Sequence, residues 1–174
     1  KEKAREIGGE SVVYTFDPHP VAVLAPEHKP LLITPLEEKL RLIAEQGMDV
    51  AVLANFSDKF ASQTPEDFVK GILYDQIRIR QIYVGHDYTF GKDRRGNIAL
   101  LREVGRKLGF NVEVVEAVRV GGMVVSSTLI RDLIQKGELR EAARLLGRNY
   151  LLYGQVIHGH EFNTAFSTPV TWMV

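Results

Sequence analysis

One segment of the sequence combines hydroxyl side chains with an arginine in a pattern that suits phosphate binding. Ser126, Ser127 and Thr128 stand where a helix is predicted to begin, and Arg131 follows Ser127 by four residues. A helix start offers unpaired backbone N–H groups and the positive end of the helix dipole, both of which attract anions. The spacing puts Arg131 on the same side as Ser127, so it can bind the same phosphate through two N–H groups. An ordinary Ser/Thr helix cap beside an exposed arginine is the alternative, and such caps are common.

A second segment, Gly85 to Gly96, combines glycines, aromatic residues and cations. Glycine lets the backbone approach a ligand, aromatic rings stack on flat groups, and arginine binds anionic oxygens. This composition predicts a mobile ligand-binding loop. A solvated surface loop fits about as well, because Asp87 and a second aspartate partly offset the basic charge. The cations are Lys92, Arg94 and Arg95.

A third segment is Pro18-His19-Pro20, a rigid kink that fixes His19 at the end of a predicted strand. A single histidine in that position is more often a structural hydrogen-bonding residue than a catalyst, although its ring can also face a cofactor. His158 and His160 form the other histidine pattern, but two imidazoles without a third nearby ligand do not predict a metal site.

The elements that position these segments alternate between strand and helix. Short apolar strands are predicted at 11–16, 50–53, 81–84 and 112–115, and helices at 34–47, from 64, near 98–108, at 126–137 and at 138–146. This alternation predicts βαβ units, a three-layer α/β fold and a mostly parallel sheet. Ligands of such sheets bind beyond the carboxyl ends of the strands, where the segments of His19, Gly85 and Ser126 fall, and for the Ser126 segment this position favours phosphate binding.

Two of the helix starts share a Thr-Pro pair. Thr34 and Thr64 are each predicted to cap a helix, because threonine accepts a bond from the first turn and proline suits the first helical position. At the N-terminus, residues 1–7 resemble the last turns of a helix that ends at a Gly-Gly pair.

Composition excludes several classes of function. The chain has 174 residues, 45% of them hydrophobic, and balances 22 Lys+Arg against 22 Asp+Glu. A neutral chain lacks the basic field of general nucleic-acid binding, so neither nucleic acid nor membrane is an expected partner, and no apolar run approaches the ~18 residues of a membrane span. Cysteine is absent, which excludes a thiolate nucleophile and a disulfide framework.

Taken together, the segments resemble the prokaryotic bifunctional riboflavin kinase/FMN adenylyltransferase (FAD synthetase) family. The resemblance covers nearly all of residues 1–159, in the family's order. The matching pieces are Thr15 to Pro20, Thr34-Pro35 with Glu38-Lys39-Leu40, Phe56 to Phe60, Thr64 to Phe68, Val84 to Gly91 with Arg94-Arg95-Gly96, Val125 to Thr128 with Ile130-Arg131, and Leu145 to Arg148 with Tyr150.

The resemblance implies transfer of AMP from ATP to FMN, giving FAD and pyrophosphate with Mg²⁺, on a Rossmann-like nucleotidyltransferase domain in the cytoplasm. It implies that Ser127, Thr128 and Arg131 are catalytic and hold the ATP phosphates. The residues implied to bind ATP, FMN or FAD are Phe16, His19, Pro20, Asp87, Phe90, Arg95 and Ser126. No protein ligand to a metal is implied. Many relatives have asparagine at the position of Asp87.

The resemblance also divides the chain. Residues 1–148 are expected to form the adenylyltransferase domain, without the family's first strand and His-x-Gly-His loop, and residues 149–174 the incomplete start of the riboflavin kinase β-barrel. Thr164 to Pro169 only loosely matches the kinase motif, so kinase activity is expected only in a full-length protein. Two alternatives stay open: a nucleotide-binding module without catalysis, and a nucleotidyltransferase with another acceptor.

Overall fold

The computed structural model of the chain describes residues 1–28, 30–154 and 170–173. The chain divides into two compact units. The first unit comprises Lys1–Ser11, Leu31–Val50 and Arg119–Val174, and the second comprises Val12–Pro30 and Ala51–Val118.

Helices and short strands alternate along the chain, as the sequence predicts. In chain order the helices are α1 Glu2–Glu6, α2 Pro20–Leu24, α3 Leu36–Glu45, α4 Asp58–Ala61, α5 Pro65–Asp67, α6 Ile98–Leu108, α7 Ser127–Gln135 and α8 Leu139–Leu146. The strands are β1 Val12–Asp17, β2 Val50–Asn55, β3 Gln81–Gly85, β4 Asn111–Val115, β5 Arg119–Val120, β6 Met123–Val124, β7 Leu151–Gly154 and β8 Val170–Met173. A π-helix, Phe68–Gln76, continues α5, and single 3₁₀ turns occur at Pro26–His28 and Lys92–Arg94.

The strands pair two by two. β1 pairs with β2, and β3 runs parallel to β4 with Gln81 opposite Asn111 and Gly85 opposite Val115. β5–β6 and β7–β8 are antiparallel. Within the described ranges each sheet has two strands, and the parallel pair β3–β4 fits a mixed α/β fold, while a single mostly parallel sheet stays a prediction. Strand–helix alternation reports the kind of connection between strands, but not how many strands share a sheet.

The core of the second unit lies between the π-helix, β3 and α6. Val69 and Leu101 are fully buried there. Asn97 caps α6 by accepting the Leu100 N–H, and Gly109 ends the helix in the left-handed conformation, so α6 spans the predicted residues. The buried members of this core are Phe68, Val69, Leu73, Val84, Phe90, Leu101 and Phe110.

The first unit has its own small core, where α7 packs against α8. Ile130, Leu133, Ala142 and Leu145 are buried in it. Because Ile130 and Leu133 anchor one face of α7, the opposite face and the start of the helix are left to solvent.

The two Thr-Pro helix starts behave differently. Thr64 caps α5, since its hydroxyl accepts the Asp67 N–H at 3.1 Å. The predicted cap by Thr34 is wrong: α3 has no side-chain cap, and the Thr34 hydroxyl accepts a 2.7 Å hydrogen bond from Arg148. The Thr34 hydroxyl thus bonds a charged donor far along the chain instead of a backbone N–H of α3.

Other sequence-based expectations have mixed outcomes. The short helices α2 and α4 were not predicted, because five and four residues are too few to show helical periodicity. The domain boundary near residue 148 stays a prediction. His158, His160 and Thr164 to Pro169 lie outside the described residues.

Candidate functional site

The start of α7, in the first unit, presents hydroxyl groups to solvent. The Ser126 hydroxyl accepts the Leu129 N–H at 3.2 Å and so caps the helix, as predicted. Ser127 and Thr128 form the first turn and are exposed, and within the described part of the chain their hydroxyls have no hydrogen-bond partner. The cap satisfies one of the N–H groups that a helix start leaves unpaired, and the other groups stay available to an anion.

Arg131 is held in place by a backbone group of the same unit. Its Nε donates to the Leu31 carbonyl oxygen at 2.8 Å, and the residue is half-buried. The terminal guanidinium nitrogens have no partner among the described residues. An arginine fixed through Nε is preorganised to bind an oxyanion through its outer nitrogens.

His19 lies in the second unit, where it caps α2. Its Nδ1 accepts the Val21 N–H at 3.2 Å. Pro20 is the first residue of α2. His19 thus makes a hydrogen bond of the structural kind, while its contact with a cofactor stays a prediction.

Three phenylalanines form an aromatic cluster at the carboxyl ends of β1 and β2. The ring of Phe16 lies 5.3 Å from those of both Phe56 and Phe60, edge to face with each. All three residues are half-buried, so each leaves ring surface accessible. The sequence predicts Phe16 at the site but not its contacts with Phe56 and Phe60. The one signal for those contacts is that both residues follow closely after a predicted strand.

The loop from Gly85 to Gly96 is fixed at several points. Phe90 and Gly96 exchange backbone hydrogen bonds of 3.1 and 2.9 Å, and the Lys92 N–H donates to the Gln63 carbonyl at 2.8 Å. Gly91 has a φ of +71° and lies so close to Pro65 that a Cβ would be 2.7 Å from the proline nitrogen. These contacts argue against the predicted mobility, because a mobile loop has few backbone hydrogen bonds and few packed contacts.

The Phe90 side chain belongs to the core of the second unit. It is 7% exposed, its ring stacks on Tyr88 at 5.4 Å, and the Phe68 ring lies 5.8 Å away. Burial in this cluster raises the pKa of Tyr88 to about 12. The buried Phe90 ring thus holds the loop on the core of the second unit. Its contact with a flavin stays a prediction.

The polar residues of this loop are exposed. The Asp87 carboxylate lies over Gly85 at the end of β3, with Oδ1 3.2 Å from the position a Cβ on Gly85 would take. Arg94 donates from Nε to the Thr89 hydroxyl at 2.9 Å. Arg95, like Lys92, makes no side-chain hydrogen bond or ion pair within the described ranges, so its charge is available to an anionic ligand.

The predicted site residues thus fall in two groups. Phe16, His19, Pro20, Asp87, Phe90 and Arg95 lie in the second unit, and Ser126, Ser127, Thr128 and Arg131 in the first. In the part of the chain that the structure describes, no three His, Cys, Asp or Glu residues come together in a way that could hold a metal ion. No helix among those residues is long and apolar enough to cross a membrane.

Exposed hydroxyls at a capped helix start, a preorganised arginine and aromatic rings at strand ends are typical of mixed α/β nucleotide-binding proteins. The sequence pattern of the FAD synthetase family matches residues 1–129. The chain belongs to the FAD synthetase family.

Curated relatives agree with this assignment. The chain is similar to the bifunctional riboflavin kinase/FMN adenylyltransferase of Escherichia coli K12, with 32% identity over 97% of this chain and 54% of the relative. The enzyme of the same name from Buchnera aphidicola (Acyrthosiphon pisum) is 33% identical over 91% of this chain and 51% of its own. The chain therefore spans about half the length of the curated relatives it matches.

A solved structure shares the fold. A crystal structure described as a macrolide-efflux protein from Streptococcus pneumoniae superposes with a TM-score of 0.73 and 29% identity, covering 91% of this chain and 52% of that one.

Proposed function

We propose that this chain is an FMN adenylyltransferase, which joins AMP from ATP to FMN. A phosphate oxygen of FMN attacks the α-phosphorus of ATP, the bond from that phosphorus to the bridging oxygen of the β-phosphate breaks, and pyrophosphate leaves with the electron pair. The products are FAD and pyrophosphate. The observation that carries the proposal is the start of α7, where exposed hydroxyls stand one turn before an arginine fixed through its Nε.

The start of α7 is the proposed site for the ATP phosphates. Ser127 and Thr128 donate hydroxyl hydrogen bonds, Ser126 keeps the first turn formed, and Arg131 binds a phosphate with its outer nitrogens. Phosphoryl and nucleotidyl transfer require little covalent chemistry from the protein, so such groups act by positioning the phosphates and stabilising the charge that develops on the leaving group.

The second unit supplies the proposed FMN site. The aromatic cluster of Phe16 offers half-buried ring edges and faces for the flat isoalloxazine ring, with His19 and Pro20 beside it in the chain. Arg95 supplies an unpaired cation for the FMN phosphate. Asp87, which follows β3, and Phe90 of the same loop are also proposed to contribute to FMN binding.

The described residues fit a magnesium ion that is bound to the nucleotide phosphates, rather than one held by protein side chains alone. The described residues hold no cluster of three potential metal ligands, whereas Mg²⁺ commonly enters such sites on substrate phosphates with one or two protein carboxylates. We therefore treat Mg²⁺ as arriving with ATP, where it would neutralise phosphate charge.

The finer architecture is also proposed on family grounds. We infer a Rossmann-like nucleotidyltransferase domain over residues 1–148 and the start of a riboflavin kinase β-barrel from residue 149, in a cytoplasmic protein. The second activity in the relatives' name, riboflavin kinase, is proposed only for a full-length protein.

Calorimetric titration of the full-length protein with ATP and with FMN tests the proposal. Both ligands are expected to bind, and Arg131→Ala should weaken ATP binding by about 10- to 100-fold, since a hydrogen bond to a charged group contributes about 1.5–3 kcal/mol. The effect on FMN binding should be small.

Arg140→Ala is the matched control, because Arg140 is an exposed residue of α8 and its loss changes the net charge equally. Because Arg131 also bonds the Leu31 carbonyl, a urea unfolding curve of each variant separates lost binding from lost stability. Binding of ATP without formation of FAD would favour the nucleotide-binding module, and binding of neither ligand would refute the proposal.

A further inference from the structure

A cavity of about 310 Å³ lies in the second unit. Arg80, one of its lining residues, directly precedes β3, and Gly109 comes two residues before β4. The cavity is therefore at the amino ends of these parallel strands, whereas Asp87 follows the carboxyl end of β3. Its lining residues are Tyr74, Asp75, Arg78, Ile79, Arg80 and Gly109.

Arg78 has a backbone conformation that disfavours its side chain. Its φ is +60°, the left-handed region in which a residue with a Cβ is strained. The chain takes this turn because the N–H groups of Ile77 and Ile79 close the end of the π-helix, bonding to the carbonyls of Ile72 and Leu73 at 3.0 and 3.1 Å. Glycine is the usual residue at such a helix end.

The guanidinium groups at the cavity are not neutralised. Within the described part of the chain, neither Arg78 nor Arg80 makes a side-chain hydrogen bond or an ion pair. The carboxylate of Asp75 is already paired with Lys70 at 3.3 Å. Two unpaired positive charges therefore border the cavity.

The rest of the cavity wall is partly apolar. Tyr74 is 37% exposed and presents its ring, and Ile79 is half-buried. Small-ligand sites combine such apolar walls with a few polar groups that fix orientation, and the volume is at the lower end of their size range.

We propose that this cavity is a second binding site, which takes a small ligand with a carboxylate or phosphate group on an aromatic body. The two arginines bind the oxyanion, since guanidinium matches both groups in a bidentate way, and Tyr74 and Ile79 contact the ring. The strained Arg78 keeps a cation at a position where glycine would be more stable. The inference does not depend on the proposed adenylyltransferase activity.

Titration of the full-length protein with phenyl phosphate and with benzoate, followed by NMR, tests the proposal, with benzyl alcohol as the uncharged probe. At least one anion is expected to bind, with shifts of amides near Tyr74 and Gly109, and benzyl alcohol should bind at least tenfold more weakly. Binding of phenyl phosphate alone identifies the phosphate class, and binding of benzoate alone the carboxylate class. Failure of both anions would overturn the proposal.

Arg78→Gly gives the sharper result, because it should act on binding and stability in opposite directions. We expect at least tenfold weaker binding of the anion together with a higher urea midpoint, since glycine relieves the left-handed strain. Arg80→Gln should weaken binding without raising the midpoint, and Arg140→Ala, which lies outside the cavity, should change neither. Unchanged binding by Arg78→Gly, or a lower urea midpoint for it, would show that the arginine serves the fold rather than a ligand.

Discussion

Replacing Gly91 with alanine tests whether the loop from Gly85 to Gly96 is fixed against the start of α5. Gly91 has a φ of +71°, and a Cβ there would lie 2.7 Å from the nitrogen and 2.8 Å from the Cα of Pro65. Both are backbone atoms, and the neighbouring Lys92 N–H donates to the Gln63 carbonyl at 2.8 Å. Neither the loop nor the start of α5 can therefore move apart without losing contacts.

The loss of folding stability in Gly91→Ala has a backbone part and a packing part. Left-handed backbone with a Cβ costs about 1–2 kcal/mol. Forcing a methyl group into filled space costs about 1–3 kcal/mol more. The free energy of unfolding of Gly91→Ala should therefore fall by about 2–5 kcal/mol, assuming that the two parts add.

Gly109→Ala is the matched control in the same unit. Gly109 also has a positive φ, of +82°, but nothing lies within 4 Å of its Cβ position. It should therefore cost only the backbone part, about 1–2 kcal/mol. Urea unfolding of both variants measures the difference, and equal losses for Gly91→Ala and Gly109→Ala would refute the packing of the loop against Pro65.

Three further predictions concern charge and burial. Hydrogen bonds from the Ser11 hydroxyl at 2.6 Å and the Ser11 N–H at 2.8 Å lower the pKa of Asp49. This stabilisation is present above the ordinary pKa of about 3.9 and lost as the pH falls through the folded value, so the urea-midpoint difference between wild type and Asp49→Asn should shrink between about pH 6 and pH 3. Burial raises the pKa of Tyr88 to about 12, so the stability that its protonated hydroxyl contributes is lost as the pH rises through that value. Tyr88→Phe should therefore lose less stability than wild type between about pH 10 and 12. An equal loss would contradict the burial of Tyr88. Arg41 makes two hydrogen bonds, of 2.6 and 2.7 Å, to the Glu38 carboxylate, which is 4% exposed, so Arg41→Ala should cost about 1–3 kcal/mol in urea unfolding. An unchanged urea midpoint for Arg41→Ala would contradict this contribution.

The sequence predicts those elements whose signals are local. The helix from Ile98 to Leu108 is correct to the residue, because the Asn97 cap and the left-handed Gly109 act within a few residues of the helix. The predicted helix cap by Thr34 is wrong because the contact that replaces it is not local. Its partner, Arg148, is 114 residues away, and no local pattern reveals that contact.

The same distinction separates the predictable and unpredictable parts of the site. The exposed hydroxyls at the start of α7 follow from capping chemistry, so Ser126, Ser127 and Thr128 could be named in advance. The fixing of Arg131 by the Leu31 carbonyl could not, since 100 residues separate them. The packing of Phe90 into the core likewise depends on tertiary neighbours.

Formation of FAD from ATP and FMN by the full-length protein is the most direct test of the account. We expect FAD and pyrophosphate in equal amounts, and a loss of about tenfold or more in kcat/KM for Ser127→Ala, from one lost hydrogen bond to a charged phosphate. Its urea midpoint should not fall, because the Ser127 hydroxyl is exposed and has no partner among the described residues. Absence of FAD from a full-length protein that is folded, or unchanged kcat/KM in Ser127→Ala, would contradict the assignment of the start of α7 to the ATP phosphates.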